Sequence, residues 1–335
     1  MNKKRIMINA VSAKIGGART IVEKFYNNFD EDFDADFFCG FKNDNEIKNN
    51  ISWYCISLSG IFSIIYTLFL SSITKKFFRC DILLSFNNIN SVFDNNCITY
   101  FHQAKVFDDD NSLKCLIYRL YFKLKKTDNV IVQTNLIKKK FVEYFNYPDD
   151  KVMVVWPGVE PINMLSFGEC LYGEGFYLVP YTDISSPHKN FNFIVSLARR
   201  LTNNEVILVT CEKPSQGDYP SNIVFIGRQT KVDLFNLYHN CALVLFPSKV
   251  ETIGLPIFEG ILSNKFICVS SSDYIIDHMN EFDISDRIVV SDNESLLVKK
   301  ISKKDFLNDL YKEEVINNER DFLKSNWETL FGIIK

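Results

Sequence analysis

The sequence lacks the histidine and cysteine spacings from which proteins usually build metal sites. It has only four histidines, none in an HExxH or HxH arrangement, and nine cysteines, none in a CxxC pair. Because an odd number of cysteines cannot all pair within one chain, we expect reduced, buried thiols in a cytoplasmic protein. The basic first residues precede an apolar stretch that is too short for an export signal.

An excess of positive charge is also lacking. The chain has 38 Lys and Arg against 41 Asp and Glu, which gives a formal net charge of -3. Nucleic acid is therefore not a predicted partner, since no overall field attracts it. Hydrophobic residues make up 47% of the 335 residues, which is enough for a sizeable core. This length exceeds what one core normally organises and predicts two domains.

Short β-branched and aromatic runs alternate with helical patterns along both halves of the chain. In the first half the predicted strands are 5–11, 81–86, 97–102, 130–134 and 152–158. In the second half they are 176–181, 205–210, 223–227, 243–248, 266–271 and 286–290. This alternation predicts an α/β protein with two doubly wound, Rossmann-like domains.

Glycine and proline interrupt the alternation within residues 157–175, as in a linker. We expect a first domain at 1–160, a linker at 161–175 and a second domain at 176–310. A C-terminal helix at 311–335 is expected to pack back on the first domain. Ligands of such folds bind beyond the carboxyl ends of the strands, so the two domains are expected to face a cleft.

Two segments of the first domain are unusually apolar. Residues 51–74 contain no charged residue and are long enough to span a bilayer, but a span would separate neighbouring strands. A buried or surface-docked helix is predicted there instead. Residues 112–126 carry an apolar stripe (Leu113, Leu116, Ile117, Leu120, Leu124) beside a basic one (Lys114, Arg119, Lys123, Lys125, Lys126). The stripe either faces the core or lies on anionic lipid, and the two segments together favour peripheral membrane contact.

The strongest signal for chemistry is PSKVETIGLPIFEG, residues 247–260, which follows an apolar strand. Gly254 permits a tight turn, and Pro256 suits the first turn of a helix. Glu251 then lies in the loop before that helix, while Glu259 lies about one turn inside it.

Free backbone amides at such a helix start form an anion site, and nearby carboxylates accept hydrogen bonds from hydroxyl groups. The amides concerned belong to Ile253, Gly254 and Leu255. A nucleotide sugar offers both a diphosphate and hydroxyls. The Glu pair taken alone is explained better as a solvated corner between a strand and a helix.

Residues 225–273 resemble the donor-binding region of glycosyltransferase family four, which are retaining enzymes with the GT-B fold. In that family the strand ending in Pro-Ser, the spaced Glu pair and the Gly-Leu-Pro turn occur together. Residues 186–190, SPHKN, resemble its short motif with a phosphate-binding lysine, and residues 8–18 resemble its amino-terminal glycine loop. The resemblance covers most of the chain and weakens in 30–75 and after 290.

The resemblance implies a retaining transfer of sugar from a nucleoside-diphosphate sugar to an acceptor hydroxyl. It implies that Lys189 binds phosphate, that Glu251 holds the donor sugar and that Glu259 accepts hydrogen bonds from the ribose hydroxyls. Gly16 and Gly17 bring backbone amides to the diphosphate, since glycine has no side chain to obstruct the approach. No metal or other cofactor is expected, because Lys189 and amides serve the phosphates.

His102 ends the apolar strand CITYFH. Taken alone it is better explained as a structural histidine, whereas the resemblance implies contact with the transferred sugar or the acceptor. The expected acceptor is a glycan, in particular a lipid-linked glycan of bacterial surface polysaccharide or O-antigen assembly. Such a protein is expected in the cytoplasm, in peripheral contact with the anionic inner face of the membrane.

One departure from the family pattern keeps alternatives open. Many members place an arginine shortly before the phosphate-binding lysine, but none stands between Leu178 and Lys189, and Arg228 is a candidate substitute. A non-catalytic GT-B-like subunit that binds a partner enzyme or a glycan, and a nucleotide-sugar epimerase of related fold, therefore remain alternatives. The acidic run 108–110 resembles the DxD metal site of the GT-A fold, although a solvated turn explains it better.

Overall fold

The computed structural model describes residues 3–43, 46–107, 112–160, 169–201, 205–302 and 320–335. The chain forms two compact units. Unit 1 comprises Met1–Gly158 and Lys324–Lys335, and unit 2 comprises Val159–Leu323. The acidic run 108–110 and parts of the predicted linker and C-terminal helix lie outside the described residues.

Unit 1 is built on a seven-stranded parallel sheet with the order β3-β2-β1-β4-β5-β6-β7. Its strands are β1 (Arg5–Ala10), β2 (Asp34–Cys39), β3 (Ile51–Cys55), β4 (Ile82–Ser85), β5 (Cys97–Tyr100), β6 (Asn129–Val132) and β7 (Val152–Val154). Its helices before residue 158 are α1 (Gly16–Asn27), α2 (Gly60–Ile65), α3 (Ser71–Phe77), α4 (Leu113–Leu124) and α5 (Asn135–Phe145). A π-helical turn, Tyr66–Leu70, joins α2 to α3.

Unit 2 has a six-stranded parallel sheet with the order β10-β9-β8-β11-β12-β13. Its strands are β8 (Tyr177–Val179), β9 (Ile207–Val209), β10 (Ile223–Phe225), β11 (Leu243–Phe246), β12 (Ile267–Val269) and β13 (Ile288–Val290). Its helices are α6 (Phe191–Arg200), α7 (Lys231–Asn240), α8 (Leu255–Leu262), α9 (Asp273–Phe282) and α10 (Glu294–Ser302). The last helix of the chain, α11 (Trp327–Ile334), belongs to unit 1, where the Trp327 ring lies 5.1 Å from that of Phe25.

All eleven predicted strands are present, and the doubly wound α/β fold is confirmed. The prediction missed β2 and β3. An acidic residue interrupts the apolar run of β2, yet Asp36 is fully buried because the Arg5 guanidinium lies 2.6 Å from its carboxylate. That hydrogen bond to Asp36 raises the pKa of Arg5. The second missed strand, β3, begins the uncharged segment 51–74, for which a helix was predicted throughout.

The helix predicted at 112–126 is α4. Its leucine stripe faces away from the core, and its opposite side is buried. Its buried residues are Cys115, Tyr118, Tyr121 and Phe122. Four leucines of the predicted stripe are exposed: Leu113, Leu116, Leu120 and Leu124. The core-facing interpretation is therefore wrong for these leucines. No helix in the described ranges combines the length and apolar character needed to cross a membrane.

The cysteines are free thiols, as expected, and seven of the nine are buried. The expectation of burial is wrong for Cys55, which is exposed at the end of β3, and for Cys170, which is half-buried. Burial raises the pKa of Cys211 to about 11, which keeps that thiol protonated at neutral pH.

Candidate functional site

The sheet of unit 2 reverses its direction of growth between β8 and β11. Successive strands are added on one side up to β10 and on the other side from β11 onwards. The loops after β8 and β11 therefore leave in opposite directions, and in parallel sheets such a switch point forms a crevice for ligands. The loop after β8 carries Lys189, and the loop after β11 carries Ser248 and Glu251.

These two loops bring Lys189 and Glu251 together. The Lys189 Nζ lies 2.5 Å from Glu251 Oε1, and the Ser248 hydroxyl donates to the same oxygen over 2.7 Å. The lysine and glutamate side chains are only 22% and 19% exposed. An ion pair so placed is partly desolvated, so its charges act more strongly than those of a surface pair. Ser248 is a site residue that the sequence indicated only as the end of a strand.

Two buried aromatic rings support the lysine. Its Nζ lies 5.0 Å from the ring centre of Tyr181 and 5.6 Å from that of Phe246. The Tyr181 hydroxyl donates to the Lys189 carbonyl over 3.0 Å, which fixes the backbone beneath the side chain. Burial raises the pKa of Tyr181, so this phenol remains a neutral donor. The cation is thus held in place by ring faces as well as by Glu251.

The start of α8 follows Glu251 and has the predicted form. Gly254 has φ +67° and ψ 50°, in the left-handed region, and a Cβ there would come within 3.2 Å of Ile257 and 3.4 Å of Phe246. Pro256 lies in the first turn, and no side chain caps this helix. The amides of Gly254 and Leu255 are therefore hydrogen-bond donors at a helix start, where an anion is favoured.

A buried histidine fixes the residue before this turn. The His278 Nε2 lies 2.7 Å from the Ile253 carbonyl oxygen, and because a carbonyl only accepts, this nitrogen carries the proton. Burial lowers the pKa of His278 from 6.5 to about 4. The ring is therefore neutral at neutral pH. Sequence analysis gave no role to His278, since its position in the middle of α9 carries no motif.

Glu259 lies one turn inside α8, as predicted, and is half-buried. The Tyr238 hydroxyl donates to its Oε2 over 3.1 Å. Burial, followed by the charge of Glu259, raises the pKa of Tyr238, which keeps this phenol a donor. The carboxylate is thereby oriented as a hydrogen-bond acceptor.

Arg228 lies in a different part of unit 2. It is exposed and lines a cavity of about 720 Å³ formed by the loops after β8, β9 and β10. The cavity also contains Asp183 and Glu212, and its residues 182–185 belong to the loop that leads to Lys189. Within the described residues no ion pair joins Arg228 to Glu251. The structure thus places the candidate arginine near the lysine-bearing loop but outside the Lys189–Glu251 pair.

In unit 1, Gly16 and Gly17 start α1 directly after the loop that follows β1. Gly16 has φ +64°, a left-handed conformation that favours glycine. A Cβ added to Gly17 would meet nothing within 4 Å, so open space lies beside it. No side chain caps this helix start either. The two glycines therefore present an open helix start, as the predicted role requires.

A buried asparagine holds the loop that leads to these glycines. The Asn87 Oδ1 accepts from the Ser12 hydroxyl over 2.5 Å and from the Ser12 amide over 3.2 Å. Its Nδ2 donates to Asn9 over 2.8 Å and to Thr67 over 3.1 Å. Asn87 thus uses both ends of its amide in internal hydrogen bonds. Asn87 has no predicted role, and the sequence signal that points to it is the polar run FNNINS after a predicted strand.

His102 follows β5 and belongs to unit 1. Its backbone amide donates to the Asn88 side chain over 2.6 Å, which fixes the backbone. Among the described residues its Nδ1 is buried without a hydrogen-bond partner. Burial, assisted by the charge of Lys114, lowers the pKa of His102 from 6.5 to about 4. The ring is therefore neutral at neutral pH.

No protein-family model matches the chain. Among curated proteins, the O-antigen chain mannosyltransferase RfbU of Salmonella typhimurium is 19% identical over 188 residues. The match spans about half of each protein, namely 52% of this chain and 52% of RfbU.

Two crystal structures resemble the whole chain. HepE of Anabaena, solved in complex with UDP-glucose, has a TM-score of 0.64 at 12% identity over 91% of each chain. WaaG, a glycosyltransferase involved in lipopolysaccharide biosynthesis, has a TM-score of 0.63 at 12% identity over 91% of each chain. The chain has the GT-B fold. This confirms the fold that the sequence resemblance implied.

The GT-B chain carries its predicted residues on both units. Lys189, Glu251, Gly254 and Glu259 lie on the loop after β8 and around the start of α8. In the ranges that the structure describes, no cluster of three or more His, Cys, Asp or Glu side chains is arranged to hold a metal. The acidic run 108–110, which suggested a metal site, is outside those ranges.

Proposed function

We propose that this protein is a glycosyltransferase that moves a sugar from a nucleoside-diphosphate sugar to an acceptor hydroxyl, with retention of anomeric configuration. The single observation that carries the proposal is the Lys189–Glu251 pair at the switch point of unit 2, next to the uncapped start of α8. A cation and free amides suit a diphosphate, and paired carboxylates suit sugar hydroxyls. The description of HepE as a complex with UDP-glucose supports the same donor class.

In this proposal Lys189 and the amides of Gly254 and Leu255 bind the diphosphate. A lysine ammonium has three N–H donors, and only one of them is used by Glu251. As the bond between the sugar and the diphosphate breaks, negative charge grows on the departing oxygen. A preorganised cation and helix amides stabilise that charge, which is the main catalytic contribution.

The two glutamates orient the donor. Glu251 is held in place by Lys189 and Ser248, so that it accepts a hydrogen bond from a sugar hydroxyl. Glu259, oriented by Tyr238, accepts from the ribose hydroxyls. Gly16 and Gly17 supply further amides to the diphosphate, and the neutral His102 ring contacts the transferred sugar or the acceptor.

Retention follows if the acceptor attacks from the face that the diphosphate leaves. The acceptor oxygen then forms the new bond to the anomeric carbon as the bond to the diphosphate oxygen breaks. The acceptor proton passes to the departing diphosphate oxygen, so no side chain serves as nucleophile. No metal or other cofactor is needed when Lys189 and backbone amides carry the opposing positive charge.

The proposed acceptor is a glycan, and in particular a lipid-linked glycan of surface-polysaccharide assembly. RfbU is described as an O-antigen chain mannosyltransferase and WaaG as involved in lipopolysaccharide biosynthesis, which supports this class. The proposed location is the cytoplasm, at the anionic inner face of the membrane.

Thermal unfolding in the presence of UDP, GDP, dTDP and their sugars tests the donor site. A nucleotide that binds the native state at 100 times its Kd stabilises it by about 2.7 kcal/mol, so one nucleotide class is expected to raise the Tm clearly. Glu259→Ala is expected to abolish the shift, whereas Glu174→Ala, at an exposed position of the same unit, keeps it. Failure of every nucleotide to shift the Tm would contradict the proposal.

A non-catalytic GT-B-like subunit is the second candidate, and the position of Arg228 outside the Lys189–Glu251 pair favours it. Incubation of the purified chain with the stabilising nucleotide sugar and lipid-linked glycan acceptors separates the two candidates. Glycosylated product excludes the non-catalytic subunit. Conversion of the nucleotide sugar without any acceptor would instead identify an epimerase.

A further inference from the structure

The helical segment 60–77 of unit 1 has its polar and apolar sides reversed. Its inward row, spaced every four residues, is polar and buried: Ser63, Thr67, Ser71 and Lys75. Its outward row, with the same spacing, is apolar and between 42% and 81% exposed: Ile61, Ile65, Phe69, Ile73 and Phe77. A surface helix of a water-soluble unit normally shows the opposite pattern.

Hydrogen bonds hold the polar row against the unit. Thr67 accepts from Asn9 over 3.2 Å and from Asn87 over 3.1 Å, and the Lys75 Nζ lies 2.7 Å from Asp94. Buried polar groups are costly unless they are satisfied in this way. The reversed orientation is therefore fixed by specific partners, and a rotation that hid the apolar row would leave these groups unpaired.

The outward leucines of α4 extend the same surface. Ile64 and Leu68 of the reversed segment and Ile117 of α4 pack against one core cluster. The loop after β4 links the two segments, because the Val92 amide donates to the Leu68 carbonyl over 3.0 Å and Lys125, at the end of α4, donates to the Ser91 carbonyl. The Phe69 ring also lies 5.9 Å from that of Phe93, which is 71% exposed. The outward rows of both segments together with Phe93 are called the apolar face below. Ten exposed large apolar side chains of these two segments and of the loop between them make up this face and mark a binding surface rather than scattered exposed residues.

The charges around the apolar face indicate what it binds. Residues 51–80 and 112–127 contain eight Lys and Arg and no Asp or Glu, in a chain whose net charge is -3. Two of these cations, Lys75 and Lys125, pair with Asp94 and Asp128. The exposed ones are Lys76, Arg79, Lys114 and Lys123. A second copy of the chain would bring this face against itself and oppose like charges. Anionic headgroups complement the cations, and the acyl region beneath them accepts the apolar side chains.

We propose that the apolar face enters the interfacial region of an anionic lipid bilayer and holds unit 1 on the membrane surface. The apolar rows supply most of the binding, and the lysines and arginines add attraction to anionic headgroups. This rests on the membrane location in the proposed function and names the surface responsible for it, but it does not depend on which donor unit 2 binds. It also assigns a location to an acceptor carried on lipid.

Co-pelleting of the full chain with sucrose-loaded vesicles tests the proposal. The vesicles are phosphatidylcholine with phosphatidylglycerol, and pure phosphatidylcholine for comparison. Ile73→Ser/Phe77→Ser and, separately, Leu120→Ser/Leu124→Ser are each expected to lower the partition coefficient about tenfold or more, because each removes two exposed apolar side chains. Lys76→Glu/Lys123→Glu is expected to weaken binding to the anionic vesicles only, and less so at high salt.

A matched control makes the same chemical change elsewhere. Val232→Ser/Ile276→Ser removes exposed apolar side chains of unit 2 and is expected to leave pelleting unchanged. Thermal unfolding and the nucleotide-induced Tm shift, measured on every variant, separate loss of folding or donor binding from loss of lipid binding. Wild-type pelleting by both apolar variants, or a wild-type chain that stays in the supernatant, overturns the proposal. So does a dimer in sedimentation velocity that the apolar variants dissociate.

Discussion

The two sheets have the same doubly wound topology, but the side chains at their switch points differ in chemistry. In unit 1 the switch point lies between β1 and β4, where Asn9 and Asn87 are almost completely buried and bonded to each other over 2.8 Å. In unit 2 it lies between β8 and β11, where Lys189 and Glu251 form a partly exposed ion pair. One point is neutral and closed, and the other is charged and accessible.

The two switch points differ in how many side-chain hydrogen-bonding groups remain free to bind a ligand. The amide of Asn87 already makes bonds through both its oxygen and its nitrogen, so it serves to anchor the loop before Gly16. Within the described part of the chain, Lys189 uses one N–H donor on Glu251 and keeps two. The side chains at a switch point are therefore available to a ligand only where the chain leaves them incompletely paired, whereas unit 1 offers the backbone amides of Gly16 and Gly17.

Removal of the Lys189 ammonium group from unit 2 is expected to have the largest effect of all the changes, and the effect is on turnover. Lys189→Ala should lower kcat about 100- to 1,000-fold, since a preorganised group that stabilises charge in the transition state contributes on this scale. The matched control is Lys231→Ala, which removes an exposed lysine of the same unit and should leave turnover near normal. Steady-state kinetics at saturating donor measures both. Near-normal turnover of Lys189→Ala would remove the functional contrast between the two switch points.

Removal of the neutral Asn87 side chain from unit 1 is expected to lower the free energy of unfolding. Asn87→Ala removes the donor to the buried Asn9 Oδ1 and one of the two donors to Thr67, and we expect the free energy of unfolding of unit 1 to fall by about 3 kcal/mol. Asn95→Ala, at an exposed position of the same unit, should change it by less than about 0.5 kcal/mol. Urea titration followed by circular dichroism measures both. Equal stability of the two variants would show that the network is not an anchor.

Sequence patterns were sufficient to predict most strands of the two sheets, because parallel strands are buried on both faces and form short apolar runs. They failed at β2, where Asp36 looks like an interruption. Its partner Arg5 lies 31 positions earlier in the chain, and no local pattern reveals that ion pair. The prediction of which side of α4 faces the core failed for a related reason. An apolar stripe normally marks the core side, and only the aromatic residues of its other side, Tyr118 and Phe122, show where the core lies.

The candidate site was predictable where its residues form one motif. Gly254, Pro256 and Glu259 lie at the predicted places because a strand, a turn and a helix follow one another within a few residues. The supporting residues were not predictable. Tyr181, Tyr238 and His278 reach the motif from other strands and helices, and nothing in their local sequence marks them.

The buried histidines extend the comparison to pH. The pKa of His278 is lowered from 6.5 to about 4, so the unfolded chain binds more protons between these values and stability falls as the pH is lowered through them. Between pH 7 and pH 5 this amounts to about 2 kcal/mol for unit 2. His278→Gln should lose that part of the pH dependence, and His239→Gln, at an exposed position, should keep it. Urea titrations at both pH values give the difference. An unchanged pH dependence in His278→Gln would show that another group causes it.

The smallest effect is expected from a chelator. EDTA should change turnover by less than about twofold, because the positive charge that opposes the diphosphate comes from Lys189 and from helix amides. Glu251 is also a poor metal ligand in this arrangement, since its Oε1 already accepts from Lys189 and Ser248. Turnover with and without added Mn²⁺ after chelation measures the effect. A strict Mn²⁺ requirement would move the phosphate chemistry away from the charged switch point of unit 2 and towards the acidic run 108–110, and the contrast between the two units would then need a different explanation.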